Sequence, residues 1–458
     1  MKKTKIICTV GPASEKPEIM EALILSGMNA ARNNFSHGDF EEHGGRIKTV
    51  EMINEKLGLH VARLLDTKGP EFRTHEFQDE KGNPIKVLIE KGSEVRICFD
   101  ASNGTATKFS VAYPGLYDDV SIGSTILVDD GYLELTITGK DSEKRELITI
   151  AKNSHKIKSR RGINVPNVVL NMPFISEKDR KDIEFAAKMD YNFIAASFTR
   201  RAQDVLDIKE ILKAQGNTDI QIIAKIENQE GMDNLDEIIE VADGIMVARG
   251  DLGVEIAPWD VPGAQKEMVV KCIAAGKIVI VATQMLESMQ DNPRPTRAEV
   301  NDVANAVYDG TDSTMLSGES AAGNYPIESV SYMAKINEKT EELVDNQVFT
   351  QFGFDYSPAD NLLSGLAYGV ATMVNSGMVD IIIAKGSEVA REVSRFRPNA
   401  IIIAEVDTHK EAQSLALNYA VYGVVNKEEK AAIIKAADLR KGAVAAEITS
   451  KTIKIVKV

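Results

Sequence analysis

Short apolar runs closed by glycine or by a charged residue recur through the chain, separated by longer stretches with helical spacing. Lys5 to Val10, Met28 to Arg32 and His60 to Leu65 are three such runs near the start. Phe193–Ser197, Ile222–Glu227, Ile245–Ala248, Ile278–Thr283 and Ser313–Leu316 are five more, further on. Most are short and rich in Ile, Val or Ala, and Ile245–Ala248 is apolar on both faces, as a parallel strand covered on two sides requires. Helix signals lie between them. Ser14 is the expected N-cap of a helix stopping at Gly27, while Ser176-Glu177-Lys178-Asp179 and Thr296-Arg297-Ala298-Glu299 read as capping boxes. Eight strand–helix units with short connections predict an α/β chain built on a closed (β/α)8 TIM barrel.

From about Glu71 to Val169 the rhythm changes to alternation without helical stripes, as in Lys86-Val87-Leu88-Ile89 and Leu133-Glu134-Leu135-Thr136-Ile137. Turn signals such as Gly82-Asn83-Pro84 and Asp129-Asp130-Gly131 divide these segments, which predicts a small all-β domain inserted into the α/β pattern. Beyond Asp360 a third unit alternates helices with strands near Asp380–Ala384, Ile401–Ala404 and Ala420–Val425. The expected division is residues 1–69 with 170–339 for the barrel, 70–169 for the insert and 340–458 for a C-terminal α/β domain.

Charge changes the picture at the strand ends. Asp243 to Gly253 runs from a buried strand into Arg249-Gly250-Asp251, and Ile222 to Glu227 ends in Lys225 and Glu227, which alternation places on one face. Arg32, Asn34, Ser36, Asp66, Thr67, Thr283, Ser317 and Glu319 stand at the other strand ends. In a parallel barrel, charge at the C-terminal end of a strand reads as chemistry. Two carboxylates with open positions suit Mg²⁺, and Arg32 with Lys225 suit a phosphate. No Walker A or G-x-G-x-x-G motif is present, so a nucleotide must bind outside the usual loops.

The 458 residues carry a net charge of −14, which argues against nonspecific nucleic-acid binding. Cys8, Cys98 and Cys272 are few and scattered, as expected of reduced thiols in a cytoplasmic protein, with Cys272 simply buried. No run is long enough to span a membrane, and Met1 to Thr4 leads into a strand with no expected leader. His43, His75 and His409 sit among polar residues and are expected to be solvated, and Trp259 to be a packing residue or interface anchor. Of the basic run Lys156 to Arg161, only the last residue is a phosphate candidate.

Four motifs make the chain resemble pyruvate kinase: Asn34-Phe35-Ser36-His37-Gly38, Leu65-Asp66-Thr67-Lys68-Gly69-Pro70-Glu71, Arg249-Gly250-Asp251-Leu252-Gly253 and Ala282-Thr283-Gln284-Met285-Leu286-Glu287-Ser288-Met289. The resemblance implies that the insert is a small β-barrel lid, and it implies transfer of a phosphoryl group from phosphoenolpyruvate to ADP in a homotetramer. It implies Mg²⁺ (or Mn²⁺) on Glu227 and Asp251, and K⁺ on Asn34, Ser36, Asp66 and the Thr67 carbonyl. Lys225 and Arg32 would bind the phosphoryl group, Arg249, Gly250 and Asp251 the substrate carboxylate, and Thr283 with Ser317 and Glu319 the proton path. Asn34, His37, Arg73, Asp130 and Arg161 would meet the nucleotide. Members with Glu at the position of Glu71 tend to need K⁺.

Two departures accompany the resemblance. Asn33 replaces an apolar residue and is expected to face a barrel helix as a packing oddity. In Ala384-Lys385-Gly386-Ser387-Glu388-Val389 too few donors remain for the phosphate of fructose 1,6-bisphosphate, so activation by that sugar is not expected. Two other functions fit the residues less well. A Mg²⁺-dependent aldolase or carboxylase leaves the potassium motif unexplained, and a scaffold without activity would have lost residues that are all present.

Overall fold

The computed structural model describes residues 1–356 and 361–458. Eight parallel strands, Lys5–Thr9, Ala30–Asn34, Ala62–Asp66, Phe193–Ala196, Gln221–Ile226, Gly244–Ala248, Ile278–Ala282 and Ser313–Leu316, close into a barrel in chain order. Alternation sorts their apolar residues into two cores. Ile7, Ala30, Leu64, Phe193, Ile223 and Met246 form one cluster inside, while Ile6, Ala31, Leu65, Ile194 and Ile222 join the helix layer outside.

Helix starts follow local chemistry. Ser176 with Asp179 and Thr296 with Glu299 form complete capping boxes. Ser14 does not cap: the first helix is Pro17–Ser26, preceded by Lys16 without a side-chain cap. Pro17 takes the first turn because its missing N–H needs no partner there. Ser14 is instead buried and accepts the Gly11 amide at 3.2 Å.

The insert lies between the third and fourth barrel strands. It holds a six-stranded, mostly antiparallel sheet and a two-stranded ribbon of Val87–Ile89 with His155–Ile157 around its own core, which includes Phe77, Phe109, Ile126 and Leu135. Beyond the barrel, a helix not anticipated from the pattern, Asn346–Tyr356, leads toward the C-terminal unit. The boundary expected at Asp360 lies outside the described residues. The C-terminal sheet orders Val421–Val424, Ile402–Glu405, Ile381–Lys385, Val444–Ile448 and Ile453–Lys457, the last strand antiparallel.

This unit plugs the barrel floor. Leu417 belongs to the same apolar cluster as the inward barrel residues, and its carbonyl accepts from Ser313 Oγ at 3.1 Å. Arg397 pairs with Asp312 at 2.7 Å with both side chains buried, and Lys5 Nζ donates to the Val421 carbonyl at 2.6 Å.

Asn33 faces outward as expected and has a polar partner there. Its Nδ2 lies 3.5 Å from His43 Nδ1. His43 is not solvated: it is 1% exposed, stacks on Phe35 at 4.0 Å, and donates from Nε2 to the His37 carbonyl at 2.8 Å. Glu41 and Glu42, beside it in sequence, are exposed, while Arg46 one turn on lies 3.4 Å from its Nδ1. Trp259 is 80% exposed, so it is not a packing residue within this chain. Among the described residues no helix is long and apolar enough to cross a membrane.

Candidate active site

Because Ala30, Leu64 and Ile223 point into the barrel, Arg32, Asp66 and Lys225 two residues later point in as well, at the C-terminal mouth. Their side chains meet. Arg32 donates from Nε to Asp66 Oδ2 and from Nη1 to Thr9 Oγ1, both at 2.7 Å. Lys225 Nζ lies 3.1 Å from Asp66 Oδ1 and 3.0 Å from Glu227 Oε1. It also donates to Ser197 Oγ at 2.8 Å, and that hydroxyl donates to the Thr67 carbonyl at 2.6 Å. Gly69 is required by this arrangement. Its φ is +70°, and a Cβ there would meet the Ser197 carbonyl at 2.7 Å.

Glu227 accepts the Phe198 amide on Oε2 at 2.6 Å. Its Oε1 is buried with no hydrogen-bond partner, since the nearby ammonium is not aligned for one. Burial pushes this carboxyl up to about 8, and the charge of Asp251 adds to the shift against the pull of Lys225. Burial also works against the Lys225 ammonium, yet Asp66 and Glu227 raise its pKa. Asp66 is held low because Arg32 and Lys225 outweigh its burial. Lys225 thus stays charged through Asp66, and Glu227 is the under-compensated group. Three carboxylates, Asp66, Glu227 and Asp251, face only two cations. A carboxylate oxygen that accepts no hydrogen bond, in a site one positive charge short, fits a divalent cation with oxygen ligands.

Thr283 and Gln284 follow the seventh strand with φ of +69° and +53°. A β-branched residue there costs about 1–3 kcal/mol, which the surroundings must offset. Thr283 Oγ1 accepts the Gly250 amide at 2.8 Å and donates to the Ala282 carbonyl at 2.6 Å. Arg249 clamps the same turn, donating to the carbonyls of Ala282 at 3.1 Å and Thr283 at 2.7 Å. Asp302 grips its guanidinium in a fork at 2.6 and 2.7 Å. The Arg249 side chain is therefore committed to the turn, and only its backbone neighbours are left for a ligand. Gly250 is not sterically required, because a Cβ would sit 3.5 Å from Thr283, an ordinary contact. Glu319 is fully buried, with Oε1 accepting the Leu286 amide at 3.0 Å and Oε2 the Ser317 amide at 2.7 Å.

Asn34 pairs in register with Asp66, and its Oδ1 accepts the Ser36 amide at 3.0 Å. His37 is exposed. Across the mouth, the insert brings Asp130 within electrostatic reach of Asp251. Shielding from solvent, then the charges of Asp129 and Asp251, push the Asp130 carboxyl up, while Arg161 and Arg73 pull it down. Arg73 pairs with Glu71 at 2.7 Å and Arg161 with Asp129 at 3.4 Å. A cavity of about 380 Å³ separates the two sides, lined by Glu71 and Asp130 above and Phe198, Asn228, Asp251 and Glu255 below.

Sequence reasoning missed four contributors. Ser197 links Lys225 to Thr67, Thr9 holds Arg32, Phe198 supplies an amide to Glu227, and Asp302 anchors Arg249. Ser197 and Thr9 stand at strand ends like the residues that were singled out, so the same signal could have found them. Asp302 lies inside a helix, and no local pattern marks it.

A family model described as pyruvate kinase, barrel domain, matches residues 1–330. The chain is 49% identical over 424 residues to the pyruvate kinase of Bacillus licheniformis, covering 92% of this chain and 72% of that protein. It is 48% identical over 430 residues to that of Clostridium acetobutylicum, covering 93% and 89% respectively. The pyruvate kinase of Geobacillus stearothermophilus is 48% identical over 429 residues, covering 93% and 72%.

Proposed function

The chain belongs to the pyruvate kinase family, and we propose that it carries out its phosphoryl transfer on the cluster of Arg32, Asp66, Lys225, Glu227 and Asp251. The enzyme is a phosphotransferase that moves the phosphoryl group of phosphoenolpyruvate to ADP, giving pyruvate and ATP. The observation that carries this siting is Glu227 Oε1, which accepts no hydrogen bond and has only the Lys225 ammonium beside it, in a buried cluster of three carboxylates and two cations. The assignment comes with the domain limits 1–69 with 170–339, 70–169 and 340–458, and with a homotetramer.

Glu227 and Asp251 would hold Mg²⁺ or Mn²⁺, which neutralises charge on phosphoryl and carboxylate oxygens. Arg32 and Lys225 bind the phosphoryl oxygens, and amides after Arg249 the substrate carboxylate. The bond from phosphorus to the enol oxygen breaks as one to a terminal oxygen of ADP forms, leaving the electron pair on the enolate. Lys225, fixed by Asp66 and Ser197, stabilises charge spread over the transferring group. The enolate carbon then takes a proton on the side of Thr283. Ser317 supplies the hydroxyl behind it, while Glu319, with both oxygens on amides, holds the loop. The insert closes over the nucleotide, with Arg73, Arg161 and His37 meeting its phosphates, Asp130 as the acid of the insert and Asn34 also at the nucleotide. Asn34, Ser36, Asp66 and the Thr67 carbonyl form an all-oxygen set for K⁺, to which Asp66 contributes mainly charge.

Release of pyruvate from phosphoenolpyruvate, followed with and without ADP, Mg²⁺ and K⁺, tests the reading directly. Strong activation by K⁺ is expected, and Glu71→Lys should weaken or abolish it by supplying an ammonium near the site. Equal rates in potassium and tetramethylammonium buffers would contradict the potassium set.

The raised pKa of Glu227 gives a second test. Without a divalent cation, the fold favours its protonated form, so the contribution is fully present below about 4.5 and lost as pH rises toward about 8. A cation that replaces the proton reverses that loss. Added Mg²⁺ should therefore raise Tm more near pH 8 than near about pH 5.5, and release protons near neutrality. Calorimetric heats independent of the buffer's ionisation enthalpy would count against it.

We also propose that fructose 1,6-bisphosphate does not activate. Lys385 pairs with Glu405, which also takes Lys430 at 2.7 Å, so these two ammoniums beside the candidate loop share a carboxylate that a bound phosphate would have to displace. Phosphoenolpyruvate saturation curves should superimpose as the bisphosphate is raised, and a leftward shift would overturn this.

A further inference from the structure

Three side chains that phosphoryl transfer does not use converge where the barrel floor meets the C-terminal domain. His60 lies in the connection before the strand Ala62–Asp66, His409 opens the helix His409–Gln413, and Glu429 sits in the first turn of Lys427–Ala436. One ligand atom from each lies within 4.8 Å of the other two. His60 Nε2 and Glu429 Oε2 are 2.9 Å apart, and the two imidazole centroids 5.1 Å apart. The His60 side chain is only 9% exposed, and its Nδ1 has no hydrogen-bond partner, which is unusual for a buried ring nitrogen. Glu429 is oriented from behind: the Val425 amide donates to Oε2 at 2.9 Å and Asn426 Nδ2 to Oε1 at 2.8 Å. His409 is exposed, so its ring can turn toward the other two.

We propose that His60, His409 and Glu429 bind a borderline divalent metal ion, Zn²⁺ above all, which ties the barrel to the C-terminal domain. Two imidazoles and a carboxylate make a zinc donor set with a fourth position for water. With bonds of about 2.0–2.1 Å, neighbouring donors stand roughly 2.9–3.4 Å apart. The His60–Glu429 pair already has that spacing, and rotation of His409 supplies the third donor. Pre-oriented partners behind a ligand are what such a site requires, and the Val425 amide and Asn426 provide them. A cavity of about 540 Å³, lined in part by His60 and Glu429, gives the ion and its water a way in. The site differs in kind from the one at the barrel mouth, where only oxygen donors are offered. Because its ligands come from three elements in two domains, a bound ion resists their separation.

The test uses the full chain, stripped with chelator and kept in excess Mg²⁺ so that the oxygen-ligand site is filled. Zn²⁺ is titrated by calorimetry, and Cu²⁺ serves as a spectroscopic probe for nitrogen ligands. The expected result is one equivalent of Zn²⁺ per chain, a rise in Tm on binding, and nitrogen couplings in the Cu²⁺ spectrum. His409→Ala, an exposed change that leaves the fold intact, should weaken Zn²⁺ binding by at least about tenfold and remove the Tm rise. His60→Ala should do the same where it folds. Identical Zn²⁺ affinity and stoichiometry in the parent and His409→Ala chains, or no binding at micromolar Zn²⁺, overturns the proposal.

Discussion

Lys225→Met is expected to lower kcat by at least about a hundredfold while changing the apparent affinity for phosphoenolpyruvate far less. The ammonium is fixed before substrate arrives, 3.1 Å from Asp66 and 3.0 Å from Glu227. A charge preorganised in this way acts most strongly on the negative charge that spreads during transfer, and such a loss appears in the rate constant. The substitution also leaves Asp66 with Arg32 alone and Glu227 facing Asp251 without a cation beside it. Some loss of thermal stability should follow, because an uncompensated buried charge is costly. Measuring Tm alongside turnover separates the two effects. A variant with normal kcat and only a raised KM would show that Lys225 binds without acting in the transition state.

Arg249→Lys should cost one to two orders of magnitude in turnover, although the guanidinium is committed elsewhere than to substrate. Its fork to Asp302 and its bonds to the carbonyls of Ala282 and Thr283 hold a turn in which two consecutive non-glycine residues have positive φ. Lysine cannot span both carboxylate oxygens and both carbonyls with one ammonium. Thr283 would relax, and the Gly250 amide would lose its place. If Arg249 acts by positioning, Asp302→Ala reproduces most of the loss even though Asp302 is remote from substrate. If Arg249 touches substrate, Asp302→Ala is nearly silent. Comparing the two variants decides between these roles.

The barrel strands were legible because their signal is local and strong. Period-two alternation alone places Lys225 with Glu227 on one face, and the polar strand ends mark the mouth. Contacts between distant segments carry no such mark. Asp302 reads as one more acid on an amphipathic helix until Arg249 reaches it, and Ser14 reads as a cap until Pro17 takes over the helix start. His43 shows the same limit, since its polar sequence neighbours conceal that its own side chain turns inward to Phe35 and Asn33. Side-chain direction on a helix depends on what packs there, and that is a tertiary fact.

Leu417 reaches the inside of the barrel from a segment more than a hundred residues beyond the last barrel strand. With the buried Arg397–Asp312 pair and the Lys5 bond to Val421, it makes the barrel floor and the C-terminal sheet share one interior. Chain order and melting order then differ. The insert, with its separate core, is free to open by itself, whereas the first and last segments of the chain are committed to a single cooperative transition. Amides of Ile6 and of Ile402 should consequently exchange with solvent only through the same global opening, despite lying at opposite ends of the sequence.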